Sequence, residues 1–459
     1  MLKRTIQGNA YIHPGRRQNW DKSERYTPGT VHTPRSVDEV VRLVKDCARR
    51  QRKLFPIGSL HSWSLQIPRG ADFDFLDLRE MNQVLTIDEE ERVVEAQAGT
   101  KVREVNRQLL YLDEPMMLQG TGSTQEQSLA GALSNSTNPY SGGRWTSLSS
   151  YAEEIELVDG NGDLRILTDA DGDMMKAARV SLGLLGVITR VKLRVHPAFL
   201  ATRVFRQIDP STCCQEIDAA IGATDLSAHS VVHTFENNEM RVSTVRPATE
   251  QEAVGVDGQS LKEFRAKQTR AHYTLLTPLI NLSPRFARHW QRTAHGIGTK
   301  VYNDRNQINW STHIFENDDS IFAMAEFYIP RRRFDEFYAE LHRMYRTIND
   351  PYIHPWIQFR PQRAVENTLM SPAQGEAHVT ALIGSTPLPN KYREGYAAWE
   401  NFMVSGFEAR THWGCRHVQK SRQLFQSLYG ELFDRFVAVR RQLDPNNMFL
   451  REPDKIAFR

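Results

Sequence analysis

The chain has 459 residues, which is more than one hydrophobic core usually organises, so its length favours two or three domains and excludes a single small module. Its 58 Lys and Arg against 55 Asp and Glu leave a formal net charge of +3, which is too small for a nucleic-acid-binding surface. Hydrophobic residues make up 40% of the chain and include 8 Trp, 14 Tyr and 21 Phe, which excludes a disordered protein.

The four cysteines indicate neither a disulfide framework nor a metal site, because they show no regular spacing and no CxxC pair. Residues 1–15 lack the apolar core of a signal peptide. No apolar run reaches the roughly 18 residues that a membrane span needs. We therefore expect a cytoplasmic protein with no membrane span, no metal and no nucleic-acid partner.

Helices and strands alternate in the first part of the chain. Ser36 and Glu39 form a capping box before an apolar stripe typical of a helix, and Thr100 is the predicted cap of a second helix. Short strands are predicted at 53–57, 73–78, 84–87 and 93–97. Strands at 155–158 and 164–167 flank an Asp-Gly-Asn-Gly turn as a hairpin, and a further strand follows at 187–195. The mixture predicts an α+β domain over residues 1–198.

The pattern changes at Phe199, where Gly-rich turns become fewer and a second domain is predicted. Large apolar residues recur at helical spacing over 331–348. The polar segment 250–269 is expected to be an exposed helix or a mobile loop. The strands predicted for a second sheet are 230–236, 323–329, 355–359 and 379–383.

Three loops rich in Gly and Ser lie in the first domain, at 58–62, 120–123 and 131–143. Small side chains leave backbone N–H groups uncovered, so such loops can approach a phosphate. None is a Walker loop or a GxGxxG fingerprint, and each taken singly is typical of an ordinary turn. Within the first loop, His61 follows a predicted strand directly and is either a packing residue or a functional one.

Residues 34–197 resemble the FAD-binding domain of flavoproteins of the vanillyl-alcohol oxidase type, also called PCMH-type. The resemblance rests on four segments in the family's order and spacing: Pro-Ile-Gly-Ser-Leu-His-Ser-Trp-Ser at 56–64, Val-Glu-Ala-Gln-Ala-Gly at 94–99, Ser-Leu-Ala-Gly-Ala at 128–132, and Ser-Leu-Gly-Leu-Leu-Gly-Val-Ile-Thr at 181–189. It implies a two-domain α+β protein that binds FAD and covers the cofactor with an antiparallel-sheet cap.

The resemblance also implies which residues hold FAD. Family members with this Gly-x-x-His-Ser loop bond the histidine to the flavin 8α-methyl group, so His61 is the expected covalent tether. A second link would need a cysteine in 135–143, which has none, so a single link is expected. The other expected cofactor contacts are Gly58, Ser59, Leu60, Ser62, Gly122, Ser123, Ser128, Gly131, Ala132, Asn138, Ser141, Val187, Ile188 and His412.

The remainder of the chain is similar to the branch of sugar-lactone and alditol oxidases. The marks of that branch are Ile-Gln-Phe-Arg at 357–360, Leu-Met-Ser-Pro at 369–372, His-Trp-Gly at 412–414 and Arg-Arg-Gln-Leu-Asp-Pro at 440–445 with Phe449. The resemblance implies a cap over 199–405 and a segment over 406–459 that returns to the FAD domain. It also places the His-Trp turn against the flavin ring.

Several positions depart from the branch, and all of them lower the charge. Gln358 stands where the branch has Glu, and Cys415 stands where it has Lys. On an ungapped reading, the His and Thr that grip a polyol become Leu382 and Gly384, and Thr-Asn-Pro at 137–139 replaces Thr-His-Gly. A site of this kind can bind fewer hydroxyl groups. The expected substrate is therefore a polyol, an aldonolactone or a less polar alcohol.

The expected reaction moves a hydride from a CH–OH carbon to flavin N5 while the hydroxyl proton leaves. Arg360 is the expected stabiliser of developing negative charge, and His412 and His417 are the candidate bases. Gln358 and Cys415 complete the set of expected catalytic residues, and Arg416 is the candidate to replace the Lys charge.

Gly122 precedes the Ser of the second loop, at the position where related enzymes with Gly admit oxygen and those with Ala block it. An oxidase that yields hydrogen peroxide is therefore expected. A flavin dehydrogenase with a quinone or protein acceptor, or a flavin-binding protein of low activity, remains the alternative.

Overall fold

The fold comes from a computed structural model. The structure describes residues 17–20, 25–63, 73–139, 142–143, 145–259, 261–262, 289, 307–313, 323–385, 393–415, 421–451 and 457–459.

Strands and helices mix throughout the described residues. The strands up to residue 197 are β1 Arg17–Gln18, β2 Arg25–Tyr26, β3 Val31–His32, β4 Lys53–Ile57, β5 Phe73–Asp77, β6 Val84–Asp88, β7 Val93–Gln97, β8 Met116–Met117, β9 Gly142–Gly143, β10 Ala152–Val158, β11 Leu164–Leu167, β12 Val187–Arg194 and β13 His196–Pro197. The later strands are β14 Leu200–Ile208, β15 Ala228–Thr234, β16 Glu239–Pro247, β17 Gln307–Trp310, β18 Ala323–Pro330, β19 Ile353–Gln362, β20 His378–Ser385 and β21 Arg410–Thr411.

The α-helices are α1 Val37–Arg49, α2 Val102–Leu110, α3 Leu129–Ser134, α4 Asp173–Arg179, α5 Cys213–Gly222, α6 Glu250–Ala253, α7 Arg331–Ile348, α8 Arg393–Glu400, α9 Arg422–Tyr429 and α10 Glu431–Leu443. A π-helical turn, Asn401–Ser405, continues α8. Among the described residues, no helix is both long and apolar enough to cross a membrane.

Two sheets organise the first part of the chain. Strands β3, β5 and β4 form a parallel sheet in that order, and β11, β10, β12, β7 and β6 form an antiparallel one. Helix α1 begins as its sequence predicts, because the Ser36 hydroxyl accepts from the Glu39 N–H at 3.3 Å. Its buried residues, Val40, Val44 and Cys47, join one core with the apolar faces of both sheets.

The second part of the chain is built on one large antiparallel sheet. Within the described residues its order is β17, β14, β16, β15, β19, β20, β18, β21, with β9 paired to the end of β15. One face packs under α5 and α7 as an aromatic core that includes Phe327, Phe334 and Phe359. The opposite face carries the polar residues of the candidate site, because directly paired residues point to the same side of a sheet.

Segments from both ends of the chain connect the two parts. Strand β9, from the first part, pairs with β15 of the large sheet. Gly142 allows this approach, because a Cβ there would lie 1.5 Å from the Pro361 carbonyl oxygen. The C-terminal segment contributes β21 to the large sheet, and Met448 and Phe449 to the first core.

The helix cap predicted at Thr100 is wrong. Helix α2 begins at Val102 with Lys101 as its N-cap, and no side chain caps it. Thr100 is fully buried, and its hydroxyl instead donates at 3.2 Å to the carbonyl of Gln83, which directly precedes β6. In the polar segment 250–269, an exposed helical turn ends at Ala253, and residues 263–269 lie outside the described part of the chain.

Candidate active site

A cavity of about 600 Å³ lies in the first part of the chain and falls within the ~300–1,000 Å³ range of ligand sites. Its wall combines the loop after β4, the loop before α3, residues around 181–188 and two residues of the His-Trp-Gly turn. The sequence-predicted residues that line it are Gly58, Ser59, Leu60, His61, Ser62, Ser128, Gly131, Ile188 and His412. Loops far apart in sequence thus meet at one cavity.

Other predicted cofactor residues lie around this wall without lining it. Ala132 and Val187 belong to the core beneath the cavity. Gly122, beside Ser123, packs against Thr137, whose methyl carbon would be 3.2 Å from an added Cβ. Ser141, and likewise His417 and Arg416, lie outside the described residues.

The cavity fits the phosphate-bearing part of FAD in two respects. A Cβ on Gly58 would lie 2.0 Å from Ser128 Oγ, so a larger residue at position 58 would displace this hydroxyl. Ser128 Oγ is buried and has no hydrogen-bond partner among the described residues. A buried hydroxyl without a partner is costly, and a phosphate oxygen is an acceptor that would satisfy it.

His61 stands at the cavity as a neutral imidazole. Its ring stacks on Trp20 with centroids 5.5 Å apart, and Leu60 before it adopts φ 56°, which is strained for a bulky residue. Burial and the nearby Lys101 ammonium lower the pKa of His61 to about 3. The ring therefore keeps a nucleophilic lone pair at neutral pH.

Lys101 is a cavity residue that the sequence analysis did not select. Its Nζ donates to Ser59 Oγ at 2.6 Å and to the Glu126 carbonyl at 2.9 Å. Burial lowers the pKa of this ammonium from its ordinary value. A lysine directly after Ala-Gly-Thr carries no motif of its own, and only the fold brings it beside the His61 loop.

A buried polar cluster lies behind His412, on the open face of the large sheet. Strand pairing places Gln358 beside Leu382 and Leu382 beside Glu326, so these three side chains share one face. Arg360, two residues after Gln358, lies on the same face, and its Nη2 donates to Gln358 Oε1 at 3.3 Å. The structure thus brings the predicted pair Gln358 and Arg360 together.

Glu326 is the residue of this cluster that sequence analysis missed. Its side chain is 4% exposed, and its Oε1 accepts from Asn138 Nδ2 at 2.8 Å and lies 3.7 Å from Arg360 Nη1. The available signal was a single carboxylate inside the otherwise apolar strand Ala323–Pro330. The site is therefore less depleted of charge than the substitutions at Gln358 and Cys415 alone indicate.

His412 links the cluster to the cavity. Its backbone N–H donates to the Glu326 carbonyl at 3.0 Å, and its ring lines the cavity. Its Nδ1 accepts from the Gly414 N–H at 3.0 Å, while its ring also bonds the Ser136 backbone. Burial lowers the pKa of His412, with Arg360 acting in the same direction and Glu326 against it. The ring is thus held neutral, with its proton on Nε2.

The turn after His412 is fixed from both parts of the chain. Trp413 Nε1 donates to the Met370 carbonyl at 2.6 Å, and the Trp63 N–H donates to the Gly414 carbonyl at 2.7 Å. Cys415 is buried, and its Sγ lies within 4.8 Å of a ligand atom of Glu326 and of His412. This spacing could suit a metal ion, but the neighbouring Arg360 guanidinium and the two backbone bonds of His412 oppose one.

The chain matches two family profiles. The first, described as FAD binding domain, covers residues 28–168, and the second, described as D-arabinono-1,4-lactone oxidase, covers residues 191–454.

Several curated relatives are named as enzymes that act on sugar lactones, and two of them match this chain over nearly their whole length. An L-gulono-1,4-lactone dehydrogenase of Mycobacterium tuberculosis is 25% identical over 445 residues, which cover 95% of this chain and 97% of the relative. An L-gulonolactone oxidase of Mus musculus is 24% identical over 450 residues, which cover 94% of this chain and 96% of the relative. A D-arabinono-1,4-lactone oxidase of Eremothecium gossypii is 35% identical over 190 residues, which cover 40% of this chain and 34% of the relative.

Among solved structures, a cholesterol oxidase from B. sterolicum matches 100% of this chain and 99% of its own with a TM-score of 0.79. Its sequence identity of 16% limits that likeness to the fold. The expected α+β architecture is thereby confirmed.

Proposed function

This chain belongs to the D-arabinono-1,4-lactone oxidase family of FAD-dependent oxidoreductases, and from this premise we propose that it oxidises the CH–OH group of a lactone or other compact alcohol, with its FAD bonded to His61. The observation that carries the proposal is that His412 joins two sites. It lines the cavity beside the His61 loop and also contacts the cluster of Glu326 and Arg360.

The residues present fit FAD, so the cavity is the proposed cofactor site. Ser128 and Lys101 would bind the phosphates, and His61 would form the tether. When bound, FAD supplies the acceptor for the hydride. The chain's own contribution is to hold the substrate C–H bond in place and to keep water out of a buried site, and the Arg360 guanidinium stabilises negative charge on the substrate oxygen.

The tether is supported by the neutral state of His61, since a protonated ring could not attack the flavin methyl group. Acid-precipitated wild-type protein should stay yellow, while His61→Ala should release its colour into the supernatant. His412→Ala is the matched control, because it removes a second cavity imidazole that is not proposed to bond FAD. Complete loss of colour from wild-type protein on precipitation would remove the tether from the proposal.

The substrate class follows from the face around Arg360. Gln358, Leu382 and Glu326 lie across three neighbouring strands, so one apolar residue separates the polar ones. A Cβ on Gly384 would lie 3.3 Å from the Trp356 ring, so aromatic surface fills the place of a polar side chain. A compact substrate with one hydroxyl at Arg360 and few others suits this surface better than an extended polyol.

Oxygen is the proposed electron acceptor, and a quinone or protein acceptor is the second candidate. The oxidase is favoured by Gly122, where an added methyl group would press on Thr137 of the cavity wall at 3.2 Å. The dehydrogenase is favoured by the name of the M. tuberculosis relative.

Substrate-reduced wild-type protein mixed with air should reoxidise fast with release of hydrogen peroxide, and Gly122→Ala should slow this reoxidation more than it slows flavin reduction by the substrate. Sluggish wild-type reoxidation would favour the dehydrogenase.

A further inference from the structure

We infer that the carboxylate of Glu326 accepts the hydroxyl proton of the substrate while the Arg360 guanidinium holds the same oxygen. The inference rests on the proposed function and adds to it the identity of the base.

Glu326 reaches the reaction face through strand alternation. Its neighbours Ala325 and Phe327 point into the aromatic core of the large sheet, so Glu326 points to the opposite face. That face lies behind His412, whose ring forms part of the cavity wall. An oxygen of Glu326 and a ring nitrogen of His412 are within 4.8 Å, so the carboxylate lies one side chain from the cavity.

The gap between Glu326 and Arg360 has the size of a bridged contact. Glu326 Oε1 and Arg360 Nη1 are 3.7 Å apart, which is too far for a direct hydrogen bond. A hydroxyl donates at about 2.7 Å to a carboxylate and accepts at about 2.9 Å from a guanidinium, so one hydroxyl oxygen can contact both atoms across this gap. Asn138 Nδ2 fixes the carboxylate at 2.8 Å from the other part of the chain.

A purely structural ion pair is a weaker explanation of the same geometry. Burying both charges costs free energy, and a separation of 3.7 Å offsets less of that cost than a close, hydrogen-bonded contact would. Both side chains are nonetheless about 95% buried. A buried carboxylate and guanidinium 3.7 Å apart on a polar face leave room for the oxygen of a third group between them.

The other groups of the cluster are poor bases. The Gln358 amide and the Arg360 guanidinium do not accept protons at neutral pH. The His412 ring accepts from Gly414 at Nδ1 and bonds the Ser136 backbone, so accepting a substrate proton would break a hydrogen bond that holds the turn. The carboxylate of Glu326 retains acceptor capacity beyond its bond from Asn138, because an ionised carboxylate offers about four lone-pair sites.

The proposed step balances. The substrate O–H bond breaks and its proton forms an O–H bond on Glu326, while the C–H bond breaks and its electron pair leaves with the hydrogen as hydride to the bound flavin. The substrate is oxidised by two electrons to a carbonyl compound, and the flavin is reduced by the same two. The charged and titratable groups around Glu326 are Arg360 from β19, His412 and Cys415 from the turn after β21, and Tyr328 from its own strand.

The test is the rate of anaerobic flavin reduction by a substrate of the wild-type holoenzyme, followed against pH. Glu326→Gln keeps the shape of the side chain and an oxygen for Asn138, so we expect it to retain FAD and its visible spectrum. The reduction rate should fall by about 100-fold or more, which is the usual contribution of a general base. The acidic limb of the wild-type pH profile should disappear, while the substrate concentration for half-maximal rate should change little.

Two further variants complete the design. Glu156→Gln is the matched control, because Glu156 is a buried carboxylate paired with Arg190 on the sheet of β10 and β12, away from the cluster. It should reduce at the wild-type rate. Glu326→Asp, which keeps the carboxylate, should show a smaller loss and retain the acidic limb even if Glu326→Gln does not fold.

The outcomes separate this inference from the function on which it rests. If alcohols and lactones reduce wild-type protein, and Glu326→Gln is reduced as fast with the same pH profile, the inference is overturned while the proposed function stands. An equal loss of rate in Glu326→Gln and Glu326→Asp, with the acidic limb intact in both, would reduce Glu326 to a structural residue. If no substrate reduces the wild type, the function and the inference fall together.

Discussion

At the scale of single residues, Lys101 shows how the fold creates a site that no motif marks. Its side chain is half-buried in the cavity wall, and its ammonium donates to Ser59 and to the Glu126 carbonyl. The carboxylates of Glu126 and Asp77 already favour the charged form of this ammonium, and the phosphates of FAD, the anions that this family binds, would add to that stabilisation. Lys101 is therefore expected to bind the cofactor rather than to stabilise the empty protein.

Lys101→Met should weaken FAD binding. Because the proposed tether would hide an affinity change, the measurement belongs in the His61→Ala background, where binding is reversible. We expect the Kd for FAD to rise about tenfold, which corresponds to ~1.4 kcal/mol. Lys45→Met on α1 serves as the control, since Lys45 packs on the hairpin turn at Gly162. An unchanged Kd would show that Lys101 is only a structural residue.

His378 should make stability depend on pH. It is fully buried, its Nδ1–H donates to the Glu376 carbonyl at 2.8 Å, and burial together with Arg410 lowers its pKa to about 3. Between that value and the unfolded pKa of about 6.5, the unfolded chain binds a proton that the folded protein does not. The contribution of the neutral His378 to the free energy of unfolding is therefore fully present above about pH 6.5, and it decreases as the pH falls from there toward 3.

From pH 7 to pH 5 this single imidazole should remove roughly 2 kcal/mol from the free energy of unfolding. His378→Asn, which retains a donor for Glu376, should reduce the loss by about that amount in denaturant titrations at the two pH values. His32→Asn is the control, because His32 is partly exposed beside Asp74. An identical pH dependence in His378→Asn and wild type would contradict the assignment.

At the scale of elements, β9 depends on a glycine. Gly142 pairs with His229 of β15, and a Cβ there would lie 1.5 Å from the Pro361 carbonyl oxygen, which is backbone and cannot turn aside. Gly142→Ala should lower the free energy of unfolding by about 3 kcal/mol and weaken FAD retention. Gly222→Ala at the end of α5, with nothing within 4 Å, is the control. Equal melting temperatures for the two variants would contradict this packing.

Periodicity predicted elements well where the signal is local. The bounds predicted for 53–57, 93–97, 164–167 and 331–348 are confirmed, because the residues that favour each element lie within that segment. The cap at Thr100 was wrong because a partner distant in sequence, Gln83, takes its hydroxyl. Glu326 and its partner Leu382 are 56 positions apart in the pairing of β18 with β20, so no local pattern could place them side by side.

At the scale of the whole molecule, the proposed site forms where the His61 loop of the first part of the chain meets the Arg360 cluster of the large sheet. The His61 side was predicted from the resemblance of the Gly-x-x-His-Ser loop to that of vanillyl-alcohol-oxidase-type flavoproteins, since the loop taken alone is typical of an ordinary turn. Motifs predicted the Arg360 side only in part, because the cluster draws Asn138 from the first part of the chain and Glu326 and Arg360 from the large sheet. His412 contacts both sides, so the return of the C-terminal segment completes the proposed site.

The central claim is that FAD bound in the cavity oxidises the CH–OH group of a substrate held by the Glu326 and Arg360 cluster. Anaerobic bleaching of the flavin tests this claim most directly. Wild-type holoenzyme would be mixed with a pool of aldonolactones, polyols, and aryl and aliphatic alcohols, with Arg360→Met as the variant and dithionite as the positive control. The account predicts that at least one compound bleaches the wild-type flavin, and that the same compound bleaches Arg360→Met at least 100-fold more slowly. Bleaching by dithionite alone, or equal rates in the two proteins, would contradict it.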